Sequence, residues 1–245
     1  LVTLVPLLWM VSVSFMAPGE AAAFPPPLLP SSPTLDNYSN LFLNYGIGRY
    51  FGNSLLLATL ATMLALVFVV PAGYAFAKLR FTGRDAVFQT LVAALVIPGQ
   101  VGMLPLFLEL KAMGLVNSYA GALIPWLAGI FGIFLVRQYS LSVPNEMLEA
   151  ARIDGANEMR IFRVIVLPGL MPVIVTLALF VFLGSWNDFM WPLIILADQD
   201  LYTLPVALAS LSREHVQDNE LMMAGSVITT LPVLILFLSL QRFYM

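Results

Sequence analysis

The run GSWNDFMWPL sets Asp188 beside Asn187, between Trp186 and Trp191, inside a long apolar stretch. Those residue types suit sugar handling, because indole faces cover C–H patches while amide and carboxylate groups bond hydroxyls. A carboxylate in such a stretch also suits gating or ion coupling, since acids in apolar spans usually face a bundle interior or a water-filled cavity. Packing or interface anchoring accounts for the same residues, tryptophan belts being ordinary near membrane surfaces. Asn53, opening another apolar run, is a further candidate lining group. Other chemistry lacks residues. With no Cys there is no thiolate, and the one His, His215, has polar neighbours and reads as a solvated loop residue. No G-x-x-x-x-G-K-[ST] occurs, so nothing here cradles ATP phosphates. No Ser/His/Asp set and no paired intramembrane carboxylates support hydrolysis. The chain therefore reads as a non-enzyme, with no catalytic residue, metal site or cofactor of its own. A net charge of −3 without a basic block argues against nucleic acid.

Charge concentrates in a second place. Glu149, Arg152, Asp154, Glu158, Arg160 and Arg163, with Glu146 and Arg137 just upstream, take eight of the 11 basic and 14 acidic side chains. Pro144 reads as an early helix residue with Ser142 as its cap, and the helix should run to about Ile153. Asp154-Gly155 stops it, because glycine takes the left-handed conformation that helix ends favour. Asn157 caps a second short helix whose apolar face is Ile161, Phe162, Ile165 and Val166, and Pro168 opens the next span. The expected product is a sharp helical hairpin, with Ala150 and Ala151 as a low surface that a partner can approach closely.

Around these residues lies grease. Hydrophobic residues are 60%, charged residues 10% and mean hydropathy is +0.91, far from the soluble average. Apolar segments fall at about Leu1–Phe15, Phe51–Ala77, Ala86–Leu108, Tyr119–Val136, Leu167–Leu196 and Leu221–Leu240. Lipid requires each to be helical. The predicted class is an all-α polytopic membrane protein, one transmembrane domain over residues 1–245 with six spans. The first segment is shorter than the ~20 residues a span needs, so part of it is expected to be missing. With both ends in the cytoplasm, Lys78, Arg80, Arg84, Arg137, Arg152, Arg160, Arg163 and Arg242 lie inside, against Arg49, Lys111 and Arg213 outside. That bias puts the charged loop, residues 137–167, in the cytoplasm and residues 197–220 outside.

The prolines between Ala17 and Tyr50 predict an extended external loop, followed by a short surface helix carrying Leu35, Tyr38, Leu41 and Phe42. Asn117 or Ser118 should cap span four. Breakers such as Pro71, Gly73, Pro98, Pro105, Pro125, Gly129, Gly132, Gly225 and Pro232 mark either repacking helices or static kinks and close contacts. The external segment near Tyr202, Leu204, Val206, Leu208 and Leu211 is too apolar to float, so it rests on the chain's own outer face or on a docked protein.

Glu149, Ala150, Ala151, Gly155, Ile165, Leu167 and Pro168 fill a pattern of EAA, three residues, Gly, nine residues, then I-x-L-P. It resembles the cytoplasmic EAA loop of permease subunits of bacterial ABC importers. DNYSNLF, AGYAFAKLRFTGR, PLFLELKAMGLVNSY, EAARIDGAN, SWNDFMWPL and LQRF extend the resemblance to the MalG-like permeases of carbohydrate importers, of maltose, trehalose or glycerol-phosphate type. The resemblance implies a bacterial inner-membrane chain working with a second, MalF-like permease, two ATPase subunits that carry ATP and Mg, an external solute-binding protein and a sugar. It implies that Glu149, Ala150, Ala151, Arg152, Asp154 and Gly155 couple to the ATPases, Glu149 as polar anchor and Gly155 as bend. It also implies that a loop with Tyr202, Thr203, Leu204 and Pro205 probes the binding protein. In maltose importers the sugar site is built largely by the other permease, which sets the implication against a direct ligand role for Asp188. The competing class is a secondary transporter or channel with Asp188 as its coupling-ion site.

Overall fold

The computed structural model describes residues 4–214 and 218–240, and among them every regular element is helical. His215 and the Gln241-Arg242 anchor lie outside the described residues. Two helices are long and apolar enough to cross a bilayer unaided: α3 (Ile47–Lys78) and the last, α14 (Asn219–Leu240). The remaining apolar length is bent, and counting each bent pair as one span brings the total among the described residues to five by length and composition. Arg84–Ala94 (α4) and Gly99–Ala112 (α5) meet at 107°, Tyr119–Trp126 and Ile130–Leu141 at 40°, and Glu158–Gly169 and Met171–Trp186 at 78°. The first segment contributes only a short apolar helix, α1 (Val5–Ser14).

The breaks have local causes. Pro98 holds an extended backbone, φ −58° and ψ 132°, at the entry to α5, and a proline also pushes the residue before it out of the helical region. Gly129 is similarly extended before α7 (Ile130–Leu141), while the Ser118 hydroxyl caps α6 (Tyr119–Leu123) by accepting from Gly121 N at 3.1 Å.

The helices belong to two compact bodies. The first comprises the chain up to Leu56 and from Asn187 onward. In it, α1, α2 (Asp36–Leu43) and α13 (Leu204–Glu214) pack on α14. The proline-rich segment is tied down rather than loose. Asn37, buried in α2, donates to Ser14 O and Met16 O, and Glu220, buried in the first turn of α14, accepts from Ala21 N at 2.7 Å. Of the short helix's expected contact face, Leu41 is buried, whereas Leu35 and Phe42 are exposed.

The second body, Leu57–Trp186, is organised by a reciprocal fit. A Cβ on Gly73 of α3 would lie 2.6 Å from Val136 of α7, and one on Gly132 of α7 would lie 2.9 Å from Val69 of α3. Each helix offers a glycine to the other's valine four residues along, and the matching order means the two run in the same direction. Small residues at such contacts let backbones approach, which is how helices associate where lipid removes the hydrophobic drive. Val69, Val136, Leu148, Ile161, Val166, Leu170 and Leu177 close a single buried cluster around this contact.

Candidate functional site

The charged stretch folds as a hairpin inside the second body. α8 (Asn145–Ile153) starts one residue later than expected, with Pro144 in the capping position at ψ 133°. Ser142 is not its cap. Its hydroxyl donates to Tyr139 O at the end of α7 instead. At the far end Gly155 has φ +82°, Gly155 N donates to Arg152 O, and Ala156 N donates to Ala151 O. These two bonds form a Schellman ending, which needs a left-handed residue at that point. Asn157 Oδ1 then accepts from Arg160 N at 2.9 Å and starts α9 (Glu158–Ile161). Phe162–Val166 continues as a π-helix into α10 (Leu167–Gly169), a local widening that the sequence does not announce. Leu170 makes the corner into α11 (Met171–Trp186), so the next membrane helix begins after Pro168 rather than at it.

The two alanines of the motif face different ways. Ala150 and Glu149 are exposed, whereas Ala151 packs on the buried cluster beside Leu148. The accessible stripe of α8 is therefore Met147, Ala150 and Ile153, at i, i+3 and i+6, with Met147 49% and Ile153 86% exposed. An isoleucine this open beside Glu149 and Asp154 is an apolar contact point that spacing alone did not single out. Leu148 is buried on the opposite face, which is worth about 2 kcal/mol relative to an exposed side chain.

Behind the stripe lies a polar network. Arg152 Nε donates to Glu158 Oε1 at 2.7 Å, and the Tyr74 hydroxyl of α3 donates to Glu158 Oε2 at 3.0 Å. The hydrogen bond from Arg152 holds the Glu158 carboxyl below the usual carboxylate range, burial opposes this, and the Tyr74 bond adds to it. Lys78 Nζ, one turn along α3, reaches Val143 O at 2.6 Å and Asn145 Oδ1 at 2.8 Å at the start of α8. A polar cavity of about 810 Å³ opens here, with Arg80, Arg84, Glu149 and Arg152 on its walls. Tyr74 was missed in the sequence, and Lys78 counts there only as one of the basic residues on the inner side. Their i, i+4 spacing on one helix face was the available signal.

The first body holds the remaining candidates. Asn53 is buried, and its amide donates to Asp200 O at 2.9 Å and Tyr202 O at 3.0 Å. Next to it, Ser54 Oγ accepts from Leu204 N at 2.8 Å, and Arg49 pairs with Asp200. Asn53 thus fixes the 200–204 segment instead of lining open space. Asn53→Asp should destabilise more than Asn53→Ala, because it aims a carboxylate at two carbonyl oxygens. Losing the amide should cost about 1–3 kcal/mol, read as a fall of about 2–4 °C in Tm per kcal/mol for the purified protein. Equal Tm values for parent and both variants would remove Asn53 from that role.

Thr203 and Leu204 are buried and Tyr202 and Pro205 are half-buried, so the segment expected to probe a partner is largely turned into its own body. Val206, Ala207 and Leu211 bury the apolar side of α13, which rests on the chain's own α14. Asp188 is half-buried, its Oδ1 accepting from Trp191 N at 3.4 Å at the start of α12 (Met190–Ile195). Trp191 is buried there, and Trp186 is buried within the other body, stacked on Phe182 with centroids 6.0 Å apart. The sugar-stacking faces expected from the spacing are therefore closed within this chain. Asn187 is the exposed polar member of the set.

The family model described as "Binding-protein-dependent transport system inner membrane component" matches residues 69–244. The chain is 38% identical over 242 residues to the arabinooligosaccharides transport system permease protein AraQ of Halalkalibacterium halodurans, covering 98% of this chain and 87% of that protein. It is 32% identical over 245 residues to the diacetylchitobiose uptake system permease protein NgcG of Streptomyces coelicolor, covering 98% and 81%. Among solved structures, a chain of a bacterial ABC transporter that imports the acidic polysaccharide alginate superposes with a TM-score of 0.89. That match has 23% identity and covers 100% of this chain and 91% of the other.

Proposed function

Because the chain belongs to the family of binding-protein-dependent transport system inner membrane components, as a multi-pass, non-catalytic permease subunit of an ABC importer, we propose that it carries a short oligosaccharide across the bacterial inner membrane. In this reading an external binding protein delivers the sugar, a second permease completes the pathway, and separate ATPase subunits grip the α8 hairpin from the cytoplasm. The observation that carries it is the Schellman-ended hairpin, which presents Glu149, Ala150 and Ile153 outward while Leu148 and Ala151 fasten it to the buried cluster. An exposed apolar stripe bordered by charge is a protein-contact surface, not a solvated loop.

The relatives named above take arabino-oligosaccharides and diacetylchitobiose, which supports a short oligosaccharide and does not favour maltose or trehalose among them. Few basic groups stand on the expected outer side, which supports a neutral sugar. Asp188 supports the pathway less directly. Its carboxylate caps a helix, so the group closest to a lining role is Asn187.

The test is purification of the intact complex, identification of its subunits, and uptake of labelled arabinotriose into proteoliposomes with internal ATP. Co-purification of an ATPase and a second permease, with uptake that stops when ATP is withheld, is the expected result. Uptake that follows an ion gradient with no ATPase present would overturn the reading in favour of an Asp188-coupled secondary transporter.

A further inference from the structure

We infer that Tyr74, Lys78 and Glu158 are the positioning residues that carry hairpin movement into α3, by fastening both ends of α8 to the segment of that helix beyond Pro71. The inference rests on the proposed reading that an ATPase moves the hairpin. The C-terminal fastening is the Arg152–Glu158–Tyr74 chain of hydrogen bonds, 2.7 and 3.0 Å long. The N-terminal fastening is Lys78 Nζ on Val143 O and Asn145 Oδ1. The two anchors sit four residues apart on one face of α3, so a displaced α8 pulls on a single helical turn from both sides.

What lies just above that turn lets it yield. Pro71 sits inside α3, where its missing N–H deletes one rung of the helical ladder and its ring crowds the preceding turn. On that side α3 borders an apolar cavity of about 640 Å³ lined by Leu66, Val70, Pro71 and Ala75, with Phe162 and Ile174 opposite. The buried Tyr74 ring lies 5.2 Å from Phe162, so its hydroxyl is aimed at Glu158 by packing rather than by the bond itself. A carboxylate that accepts from an arginine on one side and a phenol on the other transmits direction as well as attraction.

The absence of cysteine makes the motion measurable. Met63→Cys and Arg80→Cys place nitroxide labels on either side of Pro71, in the assembled transporter made with cysteine-free partner subunits. Electron–electron distances are compared between the nucleotide-free state and the state trapped with ATP and vanadate. The expected result is a distance change in the otherwise unaltered chain. Tyr74→Phe combined with Lys78→Met should lose that change, and Lys78→Arg alone should keep it. ATPase co-purification and ATP hydrolysis should stay near the parent level in all of them, while arabinotriose taken up per ATP falls about tenfold in the double variant, as expected for lost bonds to charged groups. A distance change that persists in the double variant, or that is absent from the parent, overturns the inference. A double variant with low yield or Tm but unaltered distances and uptake per ATP also overturns it, since the residues then serve folding alone. If no ATPase joins the parent complex, the reading beneath the inference fails as well, which separates the two failures.

Discussion

Ile153→Asp should abolish substrate uptake, with ATPase binding to the complex falling by at least about thirtyfold, while insertion, yield and Tm of the permease stay at parent values. The side chain is 86% exposed at the end of α8, so replacing it leaves no hole and strands no polar group. The few residues that dominate a protein contact each account for about 2 kcal/mol or more, about thirtyfold in affinity, and Ile153 is placed to be one of them. A carboxylate in their place adds a desolvation penalty beside Glu149 and Asp154. Ala151→Lys, the substitution that the motif alone recommends, is a poorer probe. Ala151 packs on the buried cluster, so its loss confounds docking with folding. Gly155→Asp lies between the two: a Cβ there meets nothing within 4 Å, but φ +82° costs an ordinary side chain about 1–2 kcal/mol, with Asp among the better tolerated. The measurement is quantitative co-purification of the ATPase alongside uptake. Parent-level binding in Ile153→Asp and Ala150→Lys together would remove α8 as the docking element.

Gly73→Ala should be strongly damaging for the addition of a single methyl group. The new carbon would stand 2.6 Å from both Cβ and Cγ1 of Val136 and 3.1 Å from the backbone nitrogen of Arg137. None of these is the free end of a flexible side chain. Relief therefore requires α3 and α7 to separate, which also withdraws Val69 from its seat at Gly132. Overpacking of this kind costs about 1–3 kcal/mol where neighbours can adjust, and more where a backbone blocks adjustment. The expected outcome is little folded protein from Gly73→Leu and a Tm lowered by roughly 6 °C or more in Gly73→Ala. Gly225→Ala serves as the control. Its closest neighbour is the Leu208 Cδ2 tip at 2.4 Å, which can rotate away, so its loss should be smaller. Equal Tm values for Gly73→Ala and the parent would mean that the helices do not meet at this glycine.

What the residues disclose depends on the range of the interaction that fixes them. Gly155, Asn157 and Ser118 were readable because a cap is settled by atoms within three or four positions, and each caps as its chemistry requires. The helical class was readable because lipid admits little else. The 107° turn between α4 and α5 was not, since hydropathy sums composition over a window and ignores direction. Ala150 and Ala151 look alike in sequence, and only the buried cluster distinguishes them. Asn37 and Glu220 carry no local mark of burial in the sequence. Their burial follows from backbone groups supplied by residues 14, 16 and 21, which no local pattern brings together.

The turn at Leu95–Pro98 also restricts where this chain can rest. Val96 and Ile97 are 83% and 62% exposed there, so the side chains shun water while the interrupted ladder shuns hydrocarbon. Headgroup depth or the flank of another polypeptide satisfies both demands, whereas bare bilayer centre satisfies the side chains and leaves the backbone groups unpaired. The elbow thus acts as a float line, setting how far α4 and α5 can sink before some neighbour must roof them.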